Sequence, residues 1–394
     1  MNQFRRYSGK AALSAVVVGA MLAAAACSGA NSSAPADTTG TTPPTALAAA
    51  MDKVVQSGIP GIQVVIDGPG GHRVYTAGKG DLSTGAPMPA DGRVRIGSNT
   101  KSFVSVVVLQ LVAEGKVELD APIERYLPGV VTGNGNDGNR VTVRQLLQHT
   151  SGLPDYLGGG PNQENKPGQL ALDNEALLQQ QFEPADLVRT VLAAQPPIFE
   201  PGAKMVYTNT NYLLLGMLVD RVAGRPVAEE ISRRILEPLG LRDTYFPPAG
   251  ETVIRGPHAR GYEIVNGKQL DLTDYNPSWA GAAGAMVATP ADLNRFFTAL
   301  LAGKLLAPAQ LAEMQRTTSF DRMPTATYGL GLVHLPASCG KEVWGHGGSI
   351  PGFGTRNGVA ADGTAVTVTV NRLADDEKTG ETVAAVVDAA FCGA

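Results

Sequence analysis

The sequence has few charged residues and lacks long apolar stretches beyond its first 30 residues. Asp, Glu, Lys and Arg make up 17% of the 394 residues, and the formal net charge is −4. A basic surface for nucleic acid is therefore not expected. No apolar run after position 30 is long enough to predict a membrane span. With 43% hydrophobic residues, the composition is typical of a globular protein with a large core.

The motifs of several common enzyme classes are also absent. The chain contains neither a Walker phosphate-binding motif nor the Gly-x-Ser-x-Gly elbow, which argues against P-loop NTPases and α/β-hydrolases. Its five histidines do not have the spacing of a metal site. Residues 133–138 fit Gly-x-Gly-x-x-Gly, but no helix is predicted after them, so we interpret them as a surface loop. We expect no metal and no cofactor.

The N-terminus is typical of an export signal. A positive segment precedes a small, apolar one, which predicts a signal peptide over residues 1–26. Cys27 follows four alanines, a pattern similar to the bacterial lipoprotein box. We therefore expect a lipid anchor on Cys27 and a location on the outer face of the cytoplasmic membrane. The alternative is a secreted protein cleaved at an Ala-x-Ala site.

Only two other cysteines are present. An exported chain enters an oxidising compartment, where a remaining pair of thiols usually forms a disulfide. We expect a Cys339–Cys392 bridge that holds the C-terminal segment, with two buried free thiols as the alternative.

The chain after the signal divides into three parts by pattern. Residues 27–46 are rich in Ser, Thr, Pro and Ala and predict a flexible tether. Residues 47–124 and 285–394 combine helices with hairpin-type strands, which predicts one α/β domain. The residue patterns predict strands over 62–67, 284–288, 328–335 and 355–360 and a last helix over 380–391. Residues 125–284 alternate helical stretches with Gly/Pro-rich loops, which predicts a mainly helical domain.

A Ser-x-x-Lys motif begins an almost wholly apolar helix predicted over residues 103–112. Positions i and i+3 lie one turn apart on a helix, so the Lys101 amine reaches the Ser98 hydroxyl. Apolar neighbours lower the pKa of a lysine and allow it to act as a base. The spacing alone is weak evidence, because Ser338 and Lys341 also fit it. Since that second match lies between predicted strands, we interpret it as a coincidence.

Two further motifs are unspecific when taken alone. One is Tyr-x-Asn at Tyr207 and Asn209, and the other is His-Gly-Gly at 346–348. Each has a simple structural alternative: a loop tyrosine on a turn, and a strand end with a surface histidine. Their order and surroundings are more specific, since they are accompanied by the segments 141–153 and 328–332.

Together these motifs resemble the penicillin-recognising serine hydrolases, the family of class C β-lactamases and DD-carboxypeptidases. The resemblance covers about residues 47–394 and is greatest to the secreted Streptomyces D-alanyl-D-alanine carboxypeptidase branch. It implies the α/β, β-lactamase/transpeptidase-like fold, an antiparallel sheet flanked by helices plus a mostly helical domain. It also implies an active site in the cleft between them.

The resemblance also implies roles for individual residues. Ser98 would be the acylated nucleophile, and Lys101 and Tyr207 would share its proton transfers. Asn209 would orient Lys101 and the substrate amide, while His346 would replace the lysine of Lys-Thr-Gly relatives. The remaining expected contacts are Gly347 and Gly348 along the substrate backbone, Ser349 with Ser98 in the oxyanion hole, and Tyr156 and Trp279 as walls of the cleft. For the two aromatic residues, core packing is the alternative.

One departure bears on the substrate. The carboxypeptidases of this branch hold the terminal carboxylate of the peptide with an arginine in the segment that here spans 333–337 and contains no arginine. His334 or Arg356 could replace it. We therefore expect the acyl-enzyme chemistry to be kept, on a peptide, ester or β-lactam substrate.

The first hypothesis is a D-alanyl-D-alanine carboxypeptidase-like, penicillin-reactive serine hydrolase. A class C-type β-lactamase, an esterase and a D-amino-acid peptidase are alternatives within the family. A non-catalytic anchored binding protein is the alternative outside it, and the intact motifs argue against that.

Overall fold

The computed structural model describes residues 38–39, 42–158, 166–170 and 175–393. The signal peptide, Cys27 and most of the tether lie outside these residues, so lipid anchoring and export stay predictions. In the described part of the chain, no helix has both the length and the apolar character needed to cross a membrane.

Strands from the two ends of the chain build one large sheet. The described strands are β1 Thr38–Thr39, β2 Gly61–Asp67, β3 Arg73–Gly78, β4 Val94–Arg95, β5 Thr132–Gly133, β6 Asn136–Asp137, β7 Tyr262–Val265, β8 Lys268–Asp271, β9 Val287–Ala288, β10 Thr318–Ser319, β11 Thr327–Tyr328, β12 Val333–Pro336, β13 Glu342–Ile350, β14 Phe353–Ala360 and β15 Ala365–Val370. Nine of them form the sheet in the order β1-β3-β2-β15-β14-β13-β12-β11-β10. All its neighbours are antiparallel except β1 and β3.

Helices cover both faces of this sheet. The described α-helices are α1 Thr45–Gln56, α2 Thr100–Ala113, α3 Val143–Leu147, α4 Glu175–Leu178, α5 Pro184–Ala194, α6 Thr210–Ala223, α7 Val227–Ile231, α8 Glu237–Leu239, α9 Gly281–Gly284, α10 Pro290–Leu301, α11 Pro308–Met314 and α12 Glu377–Cys392. Side chains alternate along a strand, so β15 serves both faces. Val366 and Val368 pack with α1 and α12, whereas the Thr367 hydroxyl donates to Asn294 Oδ1 of α10 at 2.7 Å. The predicted antiparallel sheet flanked by helices is confirmed.

The middle of the chain has the predicted helical character. Among the described residues, 125–284 contributes helices α3 to α9 and two short hairpins, but no strand of the large sheet. Residues 36–394 form one compact unit, and the domain boundaries proposed from the sequence stay a prediction. Residues 103–112 of helix α2 are almost wholly apolar, and the helix is buried between α6, α9 and α11.

One predicted strand is wrong. The sequence indicated a continuous strand over 328–335, but a turn separates β11 from β12. Gly331 has a φ of +77°, and its carbonyl accepts a 2.7 Å hydrogen bond from Ser102 of α2. A Cβ at Gly331 would lie 2.0 Å from Ser105 Oγ, so only glycine allows this close approach. The turn is therefore fixed by a helix more than 200 residues away in sequence.

The predicted disulfide is present. Cys339 and Cys392 are bonded, with Cα atoms 5.7 Å apart and a sequence separation of 53. The bridge joins the turn before β13 to the end of α12. A loop of this length contributes about 4 kcal/mol to the free energy of unfolding in the chain-entropy model.

Candidate active site

The predicted nucleophile lies on a tight turn directly before the buried helix α2. Residues Gly97–Asn99 form one turn of 3₁₀ helix, with the φ of Gly97 at +49°. A Cβ at Gly97 would lie 3.0 Å from the Ser349 nitrogen, so this turn packs directly on β13. The Asn99 side chain fastens it to β14, because its Nδ2 donates to Thr355 Oγ1 at 2.5 Å and its Oδ1 accepts from Asn357 Nδ2 at 2.6 Å. Ser98 is thus held between helix and sheet.

The amine of Lys101 has three partners. It lies 3.0 Å from Ser98 Oγ, 2.8 Å from Asn209 Oδ1 and 2.7 Å from the carbonyl oxygen of Ala283. Asn209 Oδ1 and the Ala283 carbonyl oxygen can only accept hydrogen bonds, so each accepts one N–H of the Lys101 amine. In a neutral amine the lone pair then faces the Ser98 hydroxyl, which is the arrangement of a base and its nucleophile.

Burial favours this neutral form. The Lys101 side chain has no solvent exposure. Removal from water lowers the pKa of its amine well below the usual value, and the positive charge of Arg322 lowers the pKa further, while the Asp155 carboxylate acts in the opposite direction. The lowered pKa therefore favours the neutral amine, which is the form that can accept a proton.

Sequence reasoning did not find Asp155. This carboxylate accepts hydrogen bonds from the Asn209 backbone N–H at 3.1 Å and from Asn209 Nδ2 at 3.0 Å. Because the Asn209 amide group donates to Asp155, its oxygen has to face Lys101. Asp155 thereby fixes the orientation of the Asn209 amide group, with Oδ1 towards the Lys101 amine. The only signal in the sequence was its place just after the 141–153 segment.

Replacing Asp155 by asparagine should lower kcat/KM about ten- to hundredfold, the value of one hydrogen bond to a charged group. The asparagine amide can donate as well as accept, so Asn209 is free to turn and offer its nitrogen to Lys101. Steady-state kinetics measure the loss, with Asp186→Asn on the exposed face of α5 as the matched control. Unchanged kinetics in Asp155→Asn would contradict this positioning role.

Tyr207 completes the group around Ser98. Its ring is buried and stacks on His149 with centroids 4.1 Å apart. Its hydroxyl faces the Ser98 side chain, yet it has no hydrogen bond of standard geometry among the described residues. Burial raises the pKa of the Tyr207 phenol. The lowered pKa of Lys101 favours a neutral amine, and the raised pKa of Tyr207 favours a protonated phenol.

His149 holds the backbone next to Tyr207. Its Nδ1 accepts from the Thr208 backbone N–H at 3.3 Å, and burial lowers the pKa of its ring well below the usual value. A neutral imidazole therefore fixes the loop that carries Tyr207.

His346 lies in the site but carries no charge there. It is 5% exposed, and burial lowers the pKa of its ring to about 3. Its Nδ1 donates to the Gly347 carbonyl at 2.6 Å, which leaves Nε2 to accept from the Tyr328 hydroxyl at 3.1 Å. These hydrogen bonds join His346 to Tyr328 and to the backbone of its own strand, β13. The role implied by the resemblance, replacement of a lysine, stays a prediction.

The rest of the His-Gly-Gly-Ser segment lies along an unpaired edge. Strand β12 pairs with β13 only as far as Gly345, so among the described strands residues 346–350 pair with β14 alone. A Cβ at Gly348 would lie 2.0 Å from the Ile96 carbonyl oxygen. Glycine at 348 therefore makes room for the Ser98 turn, whereas the sequence suggested room for substrate. Gly347 and the exposed Ser349 stay open to the edge.

The two expected cleft aromatics are in the core. Tyr156 has no exposure and Trp279 has 2%. The Tyr156 hydroxyl donates to the Trp279 carbonyl oxygen at 2.6 Å, and the Trp279 ring stacks on Tyr275. This arrangement corresponds to the core-packing alternative. Both side chains are buried. Trp279 lies just before helix α9, which contains Ala283, and the Ala283 carbonyl oxygen accepts a hydrogen bond from Lys101.

In the second Ser-x-x-Lys match, both side chains have partners far from the active site. Ser338 Oγ donates to Asp388 Oδ2 at 2.5 Å, and Lys341 Nζ donates to the Phe391 carbonyl oxygen at 2.7 Å. The two side chains serve the turn before β13 and the end of α12, which agrees with a coincidental match.

Known proteins share this arrangement of elements. A D-stereospecific amidohydrolase from a Streptomyces species is 37% identical, with a TM-score of 0.77 over 89% of this chain and 98% of that one. The D-amino acid amidase from Ochrobactrum anthropi SV3, solved with D-phenylalanine, is 29% identical, with a TM-score of 0.75 over 89% and 99%. Esterase EstB from Burkholderia gladioli is 35% identical over 183 residues, which are 45% of each chain.

The family itself is shown by a match over most of the chain. Residues 45–390 match the sequence model described as Beta-lactamase. The chain spans less than two thirds of the length of the curated relatives that it matches first. The match over residues 45–390 shows that the protein belongs to the β-lactamase family.

Proposed function

We propose that this protein hydrolyses small amides and esters whose acyl residue has the D configuration, through an acyl-enzyme on Ser98. The observation that carries the acyl-enzyme is the place of the Lys101 amine, 3.0 Å from Ser98 Oγ, with Asn209 Oδ1 and the Ala283 carbonyl oxygen as its other partners. The similarity to a D-stereospecific amidohydrolase and a D-amino acid amidase supports the configuration.

Acylation follows from the geometry around Ser98. Lys101 takes the hydroxyl proton as Ser98 Oγ bonds to the substrate carbonyl carbon. The backbone N–H groups of Ser98 and Ser349 stabilise the oxyanion that forms. Tyr207 donates its proton to the leaving nitrogen or oxygen as the bond to carbon breaks, and the proton on Lys101 restores the phenol.

Deacylation reverses these transfers. A water molecule attacks the ester carbonyl carbon and gives its proton to Lys101. As the acyl–oxygen bond breaks, that proton returns to Ser98 Oγ, the acid product leaves, and the neutral amine is restored.

Penicillin-reactive carboxypeptidase and β-lactamase activities share the same first step. Strand β12, Val333–Pro336, contains no arginine for a peptide carboxylate. We therefore rank D-amidase activity above both of these activities.

Reaction with benzylpenicillin distinguishes a carboxypeptidase from a β-lactamase. A lasting adduct on Ser98 favours the carboxypeptidase, and rapid penicillin loss without a lasting adduct favours the β-lactamase.

The proposal is tested with D- and L-phenylalanine amide as a matched pair. The purified protein should release ammonia from the D-amide with a kcat/KM at least about tenfold above that for the L-amide, a difference of ~1.4 kcal/mol in transition-state binding. Equal rates for the two amides would contradict the stereochemical proposal. Undiminished release in Ser98→Ala would contradict the acyl-enzyme.

A further inference from the structure

The hydroxyl of Tyr207 is not itself held by a hydrogen bond. It faces the Ser98 side chain, but it has no partner of standard geometry among the described residues. Its position therefore depends on the contacts that hold the Tyr207 ring and the backbone on either side of it. The residue that supplies those contacts also controls where the phenol lies relative to a substrate.

His149 contacts three consecutive residues around this tyrosine. Its carbonyl oxygen accepts the Val206 backbone N–H at 3.0 Å, and its Nδ1 accepts the Thr208 backbone N–H at 3.3 Å. Between these two hydrogen bonds its ring lies against the Tyr207 ring, with centroids 4.1 Å apart and planes inclined by 31°. One residue thus holds the backbone before and after Tyr207 as well as the ring.

A directed set of hydrogen bonds fixes the tautomer of His149. The Thr208 backbone N–H can only donate, so Nδ1 is an acceptor and the ring proton lies on Nε2. Ser151 Oγ accepts the Leu153 N–H at 3.2 Å and donates to Asn211 Oδ1 at 2.7 Å. The Asn211 amide therefore turns its Nδ2 towards His149 Nδ1, at 3.2 Å. Both donors to Nδ1 require the neutral ring.

The backbone of His149 has a conformation that side chains rarely adopt. Its φ is +59°, and the other described non-glycine residues with a positive φ are Asn134 and Asn266. Both asparagines are exposed, whereas His149 is fully buried. Because asparagine adopts this region more readily than most residues, His149→Asn removes the ring and still suits the backbone.

The loop between β10 and β11 also contacts Tyr207. Asp321 Oδ2 accepts the Tyr207 backbone N–H at 3.1 Å, and the guanidinium carbon of Arg322 lies 4.3 Å from the centroid of the Tyr207 ring. Asp321 and Arg322 are both exposed, whereas His149 has no exposure. The buried support of the tyrosine is therefore His149.

We propose that His149 is a positioning residue for the acid step, because it holds the Tyr207 phenol where it can protonate the leaving group. The proposal rests on the function proposed above, in which Tyr207 donates its proton as the bond to the leaving atom breaks. In this role His149 transfers no proton itself and acts only through Tyr207. An amide nitrogen needs that proton to leave, whereas p-nitrophenolate leaves as a stable anion. Loss of His149 should therefore slow the cleavage of amides more than that of p-nitrophenyl esters.

The test compares D-phenylalanine amide with the p-nitrophenyl ester of D-phenylalanine, which give the same acyl-enzyme. Release of ammonia and of p-nitrophenol gives kcat/KM for each substrate. His149→Asn should lower the amide-to-ester ratio of kcat/KM at least about tenfold, a part of the contribution of about 10²- to 10⁴-fold that a positioned acid makes. Since both rates come from one protein sample, a smaller folded fraction cancels in the ratio.

Two further variants accompany His149→Asn. His149→Phe keeps a ring of similar size and removes the acceptor for the Thr208 N–H, so it should also lower the ratio. His258→Asn is the matched control and should keep the wild-type ratio, because this half-buried histidine donates only to the nearby Gly256 carbonyl, at 2.7 Å.

A double-mutant cycle shows whether His149 acts through Tyr207. Tyr207→Phe should lower the amide-to-ester ratio at least as far as His149→Asn does. When His149→Asn is added to Tyr207→Phe, the ratio should not fall further, because the group that His149 positions is already absent.

The outcomes that contradict the proposal are distinct. An unchanged ratio in His149→Asn and His149→Phe would show that His149 has only a structural role. A further fall of the ratio in the double variant would show that it acts on another group. In both cases Ser98-dependent release of ammonia from the D-amide would leave the proposed function standing. Without that release by the wild-type protein, the proposed function fails and the role of His149 fails with it.

Discussion

Replacing Ser98 by alanine should lower kcat/KM for D-phenylalanine amide by about 10⁴- to 10⁶-fold, the loss expected when a serine hydrolase loses its nucleophile. Without Oγ no acyl-enzyme forms, and neither Lys101 nor Tyr207 has a group to activate. Ammonia release measures the effect. The fold should not change, because Ser98 is partly exposed and its turn is held by Asn99.

The chain supplies a matched control in its second Ser-x-x-Lys motif. Ser338→Ala removes a hydroxyl from a turn on the surface, so activity should stay within about twofold of wild type. If Ser338→Ala lost activity and Ser98→Ala kept it, the nucleophile would be misassigned.

Lys101→Met should lower kcat/KM by about 10²- to 10⁴-fold, the contribution of a positioned general base. Methionine fills a similar volume in this buried place and removes the amine without leaving a charge behind. The pH dependence of kcat/KM also tests the role of Lys101 as a base. Lys101 is a base only above its pKa, so wild-type kcat/KM should fall as the pH is lowered through that depressed value.

Rate measurements from acidic to neutral pH test this assignment. In Lys101→Met the fall on the acid side should disappear together with most of the activity. A variant that keeps the wild-type profile, or a loss smaller than about tenfold, would show that another group takes the proton from Ser98. Thermal unfolding of both proteins controls for a general loss of structure.

The sequence predicted those parts of the site that depend on local spacing. Ser98 and Lys101 face each other because they are one helical turn apart, and this follows from the chain alone. The strands β2 and β14 and the helix α12 were predicted within a few residues, because their apolar patterns are regular. The disulfide followed from export and from the number of cysteines.

The remaining parts depend on contacts between distant segments. Asp155 meets Asn209 across 54 residues of sequence, and Ala283 meets Lys101 across 182. The sequence indicated a strand that begins at 284, whereas helix α9 ends there and presents the Ala283 carbonyl to the amine. Arg322 escaped notice because its loop has no motif, and only the tertiary fold lays it on Tyr207.

Protonation and burial of the site residues could not be predicted from the sequence either. Burial lowers the pKa of the His346 ring, which disfavours its charged form, and its Nε2 lies 3.1 Å from the Tyr328 hydroxyl. The sequence left Tyr156 either as a wall of the cleft or as a core residue, and only the structure shows that its side chain is fully buried.

The most direct test of the acyl-enzyme is mass spectrometry of the protein quenched in acid during turnover of D-phenylalanine methyl ester. The account predicts a single D-phenylalanyl adduct, located by peptide mapping on Ser98, in the wild-type protein and its absence in Ser98→Ala. An adduct on another residue, or one that survives in Ser98→Ala, would contradict the central claim.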